Sequence, residues 1–229
     1  MSINQQDDSG DTLLHLAVQA EDLIQVQSLL SQGANPSIQN IEENTPLHIA
    51  VHHLLPQFVQ VLLKSGSNPN IKDSLGRSPM TLAFTMYQSL DKSQIALLNQ
   101  IIKLLLKFGA TPNTVNDFGH TYLNVAILLN ELEIVKALLD AAANPNVEDL
   151  DGNNALIYAI YVGNEESAKI LLKNGALNIQ GNFLKTPLDW ARFFNMDEIT
   201  GILQGYPVYR RGEAPCITKI PNRSHTFTF

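Results

Sequence analysis

The sequence predicts an all-α fold, an α-solenoid in which copies of a two-helix unit stack side by side. Three recurring columns predict it. The first is a six-residue block: Thr12-Leu-Leu-His-Leu-Ala17, Thr45-Pro-Leu-His-Ile-Ala50, Ser78-Pro-Met-Thr-Leu-Ala83, Thr121-Tyr-Leu-Asn-Val-Ala126, Asn154-Ala-Leu-Ile-Tyr-Ala159 and Thr186-Pro-Leu-Asp-Trp-Ala191. These blocks start 33, 33, 43, 33 and 32 residues apart. The second column is an apolar pair: Leu29-Leu30, Leu62-Leu63, Leu105-Leu106, Leu138-Leu139, Leu171-Leu172 and, more weakly, Ile202-Leu203. The third closes each unit with Gly33-Ala34, Gly66-Ser67, Gly109-Ala110, Ala142-Ala143 and Gly175-Ala176, and Pro with polar neighbours follows in four of these. A fixed period of this length is the mark of a repeat array.

Each unit reads as helix, turn, helix, extended finger. Thr or Ser at the block's start can cap a helix with its hydroxyl, and Pro suits the first helical turn. Leu and Ala three residues apart share one helix face, and the small Ala lets a neighbouring backbone approach. The second helix carries apolar residues at helical spacing, as in Ile134, Val135, Leu138 and Leu139. Glycine then suits the left-handed conformation that stops it. The Asn-Pro-Asn and Asp-x-x-Gly stretches carry turn chemistry. So small a unit cannot bury its apolar face alone, whereas stacking on a copy buries it.

These motifs resemble the ankyrin-repeat family, whose period of about 33 residues opens on T-P-L-H-x-A. The resemblance covers roughly residues 7–205. It implies stacked helix pairs with short β-hairpin fingers, and a motif His bonded to backbone near the repeat boundary. That role carries over to His15 and His48 alone; Thr81, Asn124, Ile157 and Asp189 stand at the position elsewhere. Ala142 replaces the terminating Gly, an expected cost of about 1 kcal/mol if the left-handed turn is kept. Repeats are expected to start near residues 7, 40, 73, 116, 149 and 181 of a 1–205 domain, with a basic tail over 206–229.

Two segments depart from the period. Repeat three is ten residues longer than its neighbours. Loop length costs little, so a longer helix pair or a surface loop accommodates the excess. The alternative is a ridge that places Met86, Tyr87 and Leu90 on a partner surface. The tail has no helical period and carries +3, from Arg210, Arg211, Lys219 and Arg223 against Glu213, leaving −10 on the body. It reads as a mobile terminus, an arm folding onto the acidic repeats, or a short linear motif.

Composition narrows the function classes. With 45% apolar and only 16% charged residues, the chain can build a core. A net charge of −7 argues against a nucleic-acid partner, which needs a basic surface. No apolar run approaches the roughly 20 residues of a membrane span, and the opening is too polar for a secretory leader. The single cysteine, Cys216, excludes an internal disulfide and fits a reducing compartment. The expected setting is cytoplasmic. Asn, Gln and Ile enrichment with irregular repeats and an unrelated tail resembles ankyrin effectors that intracellular bacteria deliver into host cells; the alternative is a eukaryotic or viral cytosolic regulator.

No catalytic, cofactor or metal site is expected. His52 and His53 are adjacent, so on a helix they diverge by about 100°. Glycines fall at repeat turns and never in a phosphate-binding loop. The expected function is therefore non-enzymatic binding of another protein, as adaptor, inhibitor or localiser. The alternatives are a self-associating structural repeat and, less favoured, an enzyme using Cys216. The resemblance implies binding through finger tips and the exposed face of the first helices. Phase then nominates Leu75, Arg77, Met86, Phe118, His120, Leu128, Leu129, Leu150, Tyr161, Phe183, Phe193 and Phe194 as partner-binding residues on repeats three to six; the alternative is local packing or tail docking, with Phe193 and Phe194 covering the C-terminal end of the core under Trp190. The body's acidity favours a partner with basic segments, and the free protein is expected to be a monomer.

Overall fold

The computed structural model describes residues 2–116, 119–181 and 184–210. It divides into two compact units, Met1–Thr114 and Val115–Phe229. Unit 1 contains α1 (Leu13–Gln19), α2 (Leu23–Ser31), α3 (Pro46–His52), α4 (Pro56–Lys64), α5 (Pro79–Met86), a 3-10 turn over Tyr87–Ser89 and α6 (Lys92–Lys107). Unit 2 contains α7 (Tyr122–Leu128), α8 (Leu132–Asp140), α9 (Ala155–Tyr161), α10 (Glu165–Lys173), β1 (Asn178–Ile179), α11 (Pro187–Phe193), α12 (Asp197–Leu203) and β2 (Val208–Tyr209). The helices stack in two columns within each unit. First helices pack on first helices, α1 on α3 and α3 on α5 in one unit, α7 on α9 and α9 on α11 in the other. Second helices do the same, α2 on α4 on α6, and α8 on α10 on α12.

Every first helix starts in the same way. Thr12, Thr45, Ser78, Thr121, Asn154 and Thr186 sit in extended backbone, and each side-chain oxygen accepts the amide of the residue three positions on. That bond satisfies one of the donors a helix leaves unpaired at its start. The block's Leu and Ala then go inward: Leu14, Leu47, Leu123 and Leu156, with Ala17, Ala50, Ala83, Ala126, Ala159 and Ala191, are all buried. Burying a leucine is worth about 1.5–3 kcal/mol, and these side chains are shared across repeat boundaries, so the stack and not the single unit is stable.

Left-handed residues recur at three places in the repeats, all three in repeats one, two, four and five. One turns the finger, as at Gly10, Glu43, Gly119 and Leu184. One joins the two helices, at Glu21, Leu54, Asn130, Gly163 and Asn195. One stops the second helix, at Gly33, Gly66, Gly109, Ala142 and Gly175. Ala142 keeps the conformation, with φ 63°, although it carries a Cβ. At Gly119 the requirement is double. Its φ is 78°, and a Cβ there would lie 2.9 Å from the amide nitrogen of Leu150 on the next finger.

The fingers are tighter than the expected hairpins. Each closes with an amide donating to the carbonyl four residues on, as from Asn40 to Asn44, Asp73 to Arg77 and Asp149 to Asn153. Single bridges Gln6–Thr12 and Val115–Thr121 are the only isolated strand pairings among the described residues. Neighbouring fingers join through backbone, Ile41 donating to Ser9 at 3.1 Å and Ser74 to Glu42 at 3.1 Å.

The extra ten residues of repeat three enter the helices. The second helix α6 reaches 16 residues, capped by Asp91, whose carboxylate accepts the amides of Ser93 and Gln94. The 3-10 turn before it rotates Tyr87 inward. Tyr87 is buried at 5% exposure, lies against Phe84 and bonds Asn99 through its hydroxyl. The expectation that Tyr87 lies on the surface is corrected, because the phase read from the other repeats stops applying at the insertion. Met86 and Leu90 are half-buried.

Past α12 the chain forms β2, which pairs in parallel with β1, Asn178 beside Val208 and Ile179 beside Tyr209. The edge of the sixth repeat's finger thus finds its hydrogen bonds in a segment that carries no strand signal in sequence. The rest of the tail, with Cys216, lies outside the described residues.

Candidate functional site

Most of the nominated residues fall into three groups. Phe118 and Phe183 lie outside the described residues. Arg77 and His120 are engaged inside the fold. The Arg77 guanidinium holds the buried Asp73 carboxylate, with Nε and Nη2 both 2.8 Å from Oδ2. Burial alone would raise the Asp73 carboxyl, but the Arg77 side chain and the Arg77 and Leu75 amides hold it below the usual carboxylate range. The His120 ring lies 2.9 Å from the Tyr158 hydroxyl, which donates to the buried Asp149 carboxylate. Burial first, and then the Asp149 carboxylate, push the Tyr158 phenol upward. Both residues brace fingers, so their polar ends are already occupied. Leu75 and Leu150 stand exposed at finger tips, at 71% and 70%.

The third group forms a surface in unit 2. Each of its three first helices ends on an exposed apolar pair: Leu128-Leu129 after α7, Tyr161-Val162 after α9, Phe193-Phe194 after α11. These helices are neighbours in sequence of packing, so the pairs form successive rungs of one strip. The rungs are wide at the C-terminal end. Tyr161, Trp190, Phe193 and Phe194 form one aromatic cluster with ring centroids 5.1–6.2 Å apart. Trp190 and Phe194 stack at 20°, while Tyr161 meets both edge-on. Each such pair is worth about 0.5–1.5 kcal/mol beyond its buried area, so the rings brace one another. Phe193 nevertheless remains 71% exposed and Tyr161 62%. In unit 1 the same positions hold Gln19-Ala20, His52-His53 and Thr85-Met86. The strip is therefore a property of repeats four to six.

Carboxylates border the strip. The second helices begin immediately after the rungs, and their first turns carry Glu133, Glu165 with Glu166, and Asp197 with Glu198. Acidic residues are favourable at helix N-termini, where the dipole is positive. Lys136 pairs with Glu133 at 3.3 Å and Lys169 with Glu198 at 2.7 Å. Between the fourth and fifth repeats an open cleft of about 560 Å³ lies where strip and carboxylates meet. Ile127, Leu128 and Val162 form its apolar lining and Glu165 and Glu166 its acidic one, with Asn130 and Asn164 beside them, joined by a 2.7 Å amide bond. Sequence reading gave the acidity of the body as a whole but not this border, because phase from the motif Ala marks the exposed helix face and stops before the turn.

Among the described residues, no three His, Cys, Asp or Glu side chains gather as a metal site, and no helix is long and apolar enough to cross a membrane. His15 and His48 are buried structural groups. Each ring Nδ1 accepts the amide of its capping Thr, while Nε2 lies 3.0 Å from the Asn44 carbonyl and 3.1 Å from that of Arg77. The expected boundary-bridging role is what the structure shows.

The sequence family of ankyrin repeats, in 3 copies, matches residues 1–89 and 93–182. The chain belongs to the ankyrin-repeat family. This ankyrin-repeat protein is similar to the ankyrin repeat protein EF0377, 26% identical with a TM-score of 0.64, over 88% of this chain and 100% of that one. It is also similar to an ankyrin repeat domain, ABAYE2397 from Acinetobacter baumannii AYE, 27% identical with a TM-score of 0.62, over 77% of this chain and 87% of that one. No curated protein matches the chain. Ankyrin repeats are in general protein–protein interaction modules.

Proposed function

We propose that this ankyrin-repeat protein acts without catalysis, by holding another protein against the strip of repeats four to six as adaptor, inhibitor or localiser. The observation that carries the reading is the exposed, internally braced apolar strip. Contiguous exposed apolar surface marks interaction sites, and aromatic anchors dominate the energetics of interfaces. Leu128, Leu129, Tyr161, Phe193 and Phe194 are its contact residues, with Leu75, Leu150 and Met86 outside the strip itself.

The test compares affinity capture from a cell lysate by the wild-type chain and by Tyr161→Asp and Phe193→Asp. Both side chains are mostly exposed, so the variants are expected to lose only their ring contacts, lowering the melting temperature by several degrees while leaving the chain folded, and to lose the proteins that the wild type retains. Unchanged capture by both variants would overturn the reading. Light scattering of the pure protein distinguishes self-association through the same strip.

A further inference from the structure

The strip has a spacing, and the spacing selects a shape of partner. We propose that repeats four to six bind an amphipathic α-helix that presents bulky apolar side chains at seven-residue intervals and lysine or arginine along one flank. The inference rests on the binding reading above and specifies its partner.

The spacing argument runs from packing geometry. Helices α7, α9 and α11 pack side by side, and packed helices lie about 8–10 Å apart. The helix ends that carry the apolar rungs Leu128-Leu129, Tyr161-Val162 and Phe193-Phe194 therefore recur at about that interval, with the Tyr161 and Phe194 rings leaning together across it to 6.0 Å. A partner helix rises about 1.5 Å per residue, so seven residues advance about 10.5 Å and return to nearly the same face. Its side chains would meet successive rungs in register. An extended strand advances about 10 Å in three residues, but an odd step points the side chain to the opposite face. Only alternate rungs would then be filled.

Charge supplies the flank. Glu165, Glu166 and Asp197 lie in the first turns that follow the rungs, where Lys136 pairs with Glu133 and Lys169 with Glu198, the latter also feeling the Glu165 and Glu166 carboxylates. The cleft between the fourth and fifth repeats couples the two features, because Leu128 and Val162 face the same space as Glu165 and Glu166. A long basic side chain suits such a cleft: its methylenes cover apolar surface while its cation reaches the carboxylates. Acidic or neutral partners gain nothing from this border.

The experiment uses fluorescence anisotropy with the full chain and synthetic 21-residue labelled peptides. The probe carries Leu and Phe at heptad core positions and Lys along one flank. A second peptide has the same composition with the seven-residue period scrambled, and a third replaces Lys by Glu. The probe is expected to bind saturably, the scrambled peptide at least tenfold more weakly, and the Glu peptide weakest. The doubly substituted Glu165→Lys, Glu166→Lys protein is expected to reverse the order of the Lys and Glu peptides. Equal binding of probe and scrambled peptide, or no response to the charge reversal, would overturn the proposal. The lysate capture keeps the two readings separable: proteins lost with Tyr161→Asp while the helical probe fails to bind leave the binding module standing and remove the helix.

Discussion

His48 reaches from its own repeat to the next, its Nε2 lying 3.1 Å from the carbonyl oxygen of Arg77. The bond needs a side chain that accepts at one end and donates at the other. Nδ1 takes the Thr45 amide, so the proton sits on Nε2 and points at the neighbouring carbonyl. In the fourth repeat Asn124 holds the same place. It is fully buried, and neither its side-chain nitrogen nor its oxygen has a hydrogen-bond partner among the described residues. An unpaired buried polar group costs about 1–3 kcal/mol. Asn124→His puts the longer ring opposite the carbonyl of Asn153, which follows at the same separation of 29 residues. The variant is expected to raise stability by about 1–2 kcal/mol, read as a higher urea midpoint. A lower midpoint would show that the site cannot admit the ring.

The same histidines make stability depend on pH. Burial lowers the pKa of His15 and His48 below the ordinary 6.5, against the opposing pull of their carbonyl acceptors and of Asp11, Asp7 and Asp73. In the window below 6.5 the unfolded chain binds protons that the folded chain refuses, so folding weakens as pH falls. Above 6.5 both states are neutral and the contribution is complete. Thermal melts are expected to be level at pH 7–8 and to decline from 6.5 toward 5. The double variant His15→Gln, His48→Gln should melt lower at pH 7.5 yet show a shallower decline. An equally steep decline would assign the effect to other groups.

The parts of this fold that were legible in sequence are those that demand a particular residue type. A helix start needs a short side-chain oxygen, hence Thr12 to Thr186; a shared core needs Leu and Ala, hence the paired columns. The left-handed residue between the two helices escaped notice because Glu21, Leu54, Asn130, Gly163 and Asn195 share no chemistry. Surrounding backbone bonds impose that conformation, such as the amide of Leu55 donating to Ala50. The rungs of the strip were legible from phase, residue by residue. The grouping of Phe193 and Phe194 with Trp190 was legible as an alternative, but the addition of Tyr161 was not, since Tyr161 and Phe194 are brought together only by the packing of α9 against α11. Tyr87, Arg77 and His120 show the limit of phase. It locates a residue on a surface but says nothing of a buried partner such as Asn99, Asp73 or Asp149.

Ala142 offers a direct measurement of backbone strain. Its left-handed φ of 63° stands where Gly33, Gly66, Gly109 and Gly175 stand in other repeats. The conformation costs a residue with a Cβ about 1–2 kcal/mol, whereas glycine costs about 0.4–1 kcal/mol through the entropy of the unfolded chain. The strain is the larger quantity. Ala142→Gly is therefore expected to stabilise by about 0.5–1 kcal/mol, and Gly175→Ala to destabilise by a similar amount. Urea unfolding of the two variants beside the wild type checks the pair; shifts of the same sign in both would refute the argument.

Asn146 clamps one repeat to the next. Its Nδ2 donates to the carbonyl of Gly175 at 2.9 Å and its Oδ1 accepts the amide of Leu177 at 2.8 Å. Asn70 does the same in unit 1, toward Gly109 and Thr111. Only a carboxamide can serve, because one end must donate and the other accept. Asn146→Asp keeps the shape but sets an acceptor against the Gly175 carbonyl. It is expected to cost about 1–3 kcal/mol, and Asn146→Ala a comparable amount. A repeat array is stabilised by its nearest-neighbour interfaces, so the loss should be local. Hydrogen exchange is expected to quicken across α10, α11 and α12 while α1 to α4 keep their protection. Uniform loss along the chain would mean that the clamp matters to the whole array and not to one junction.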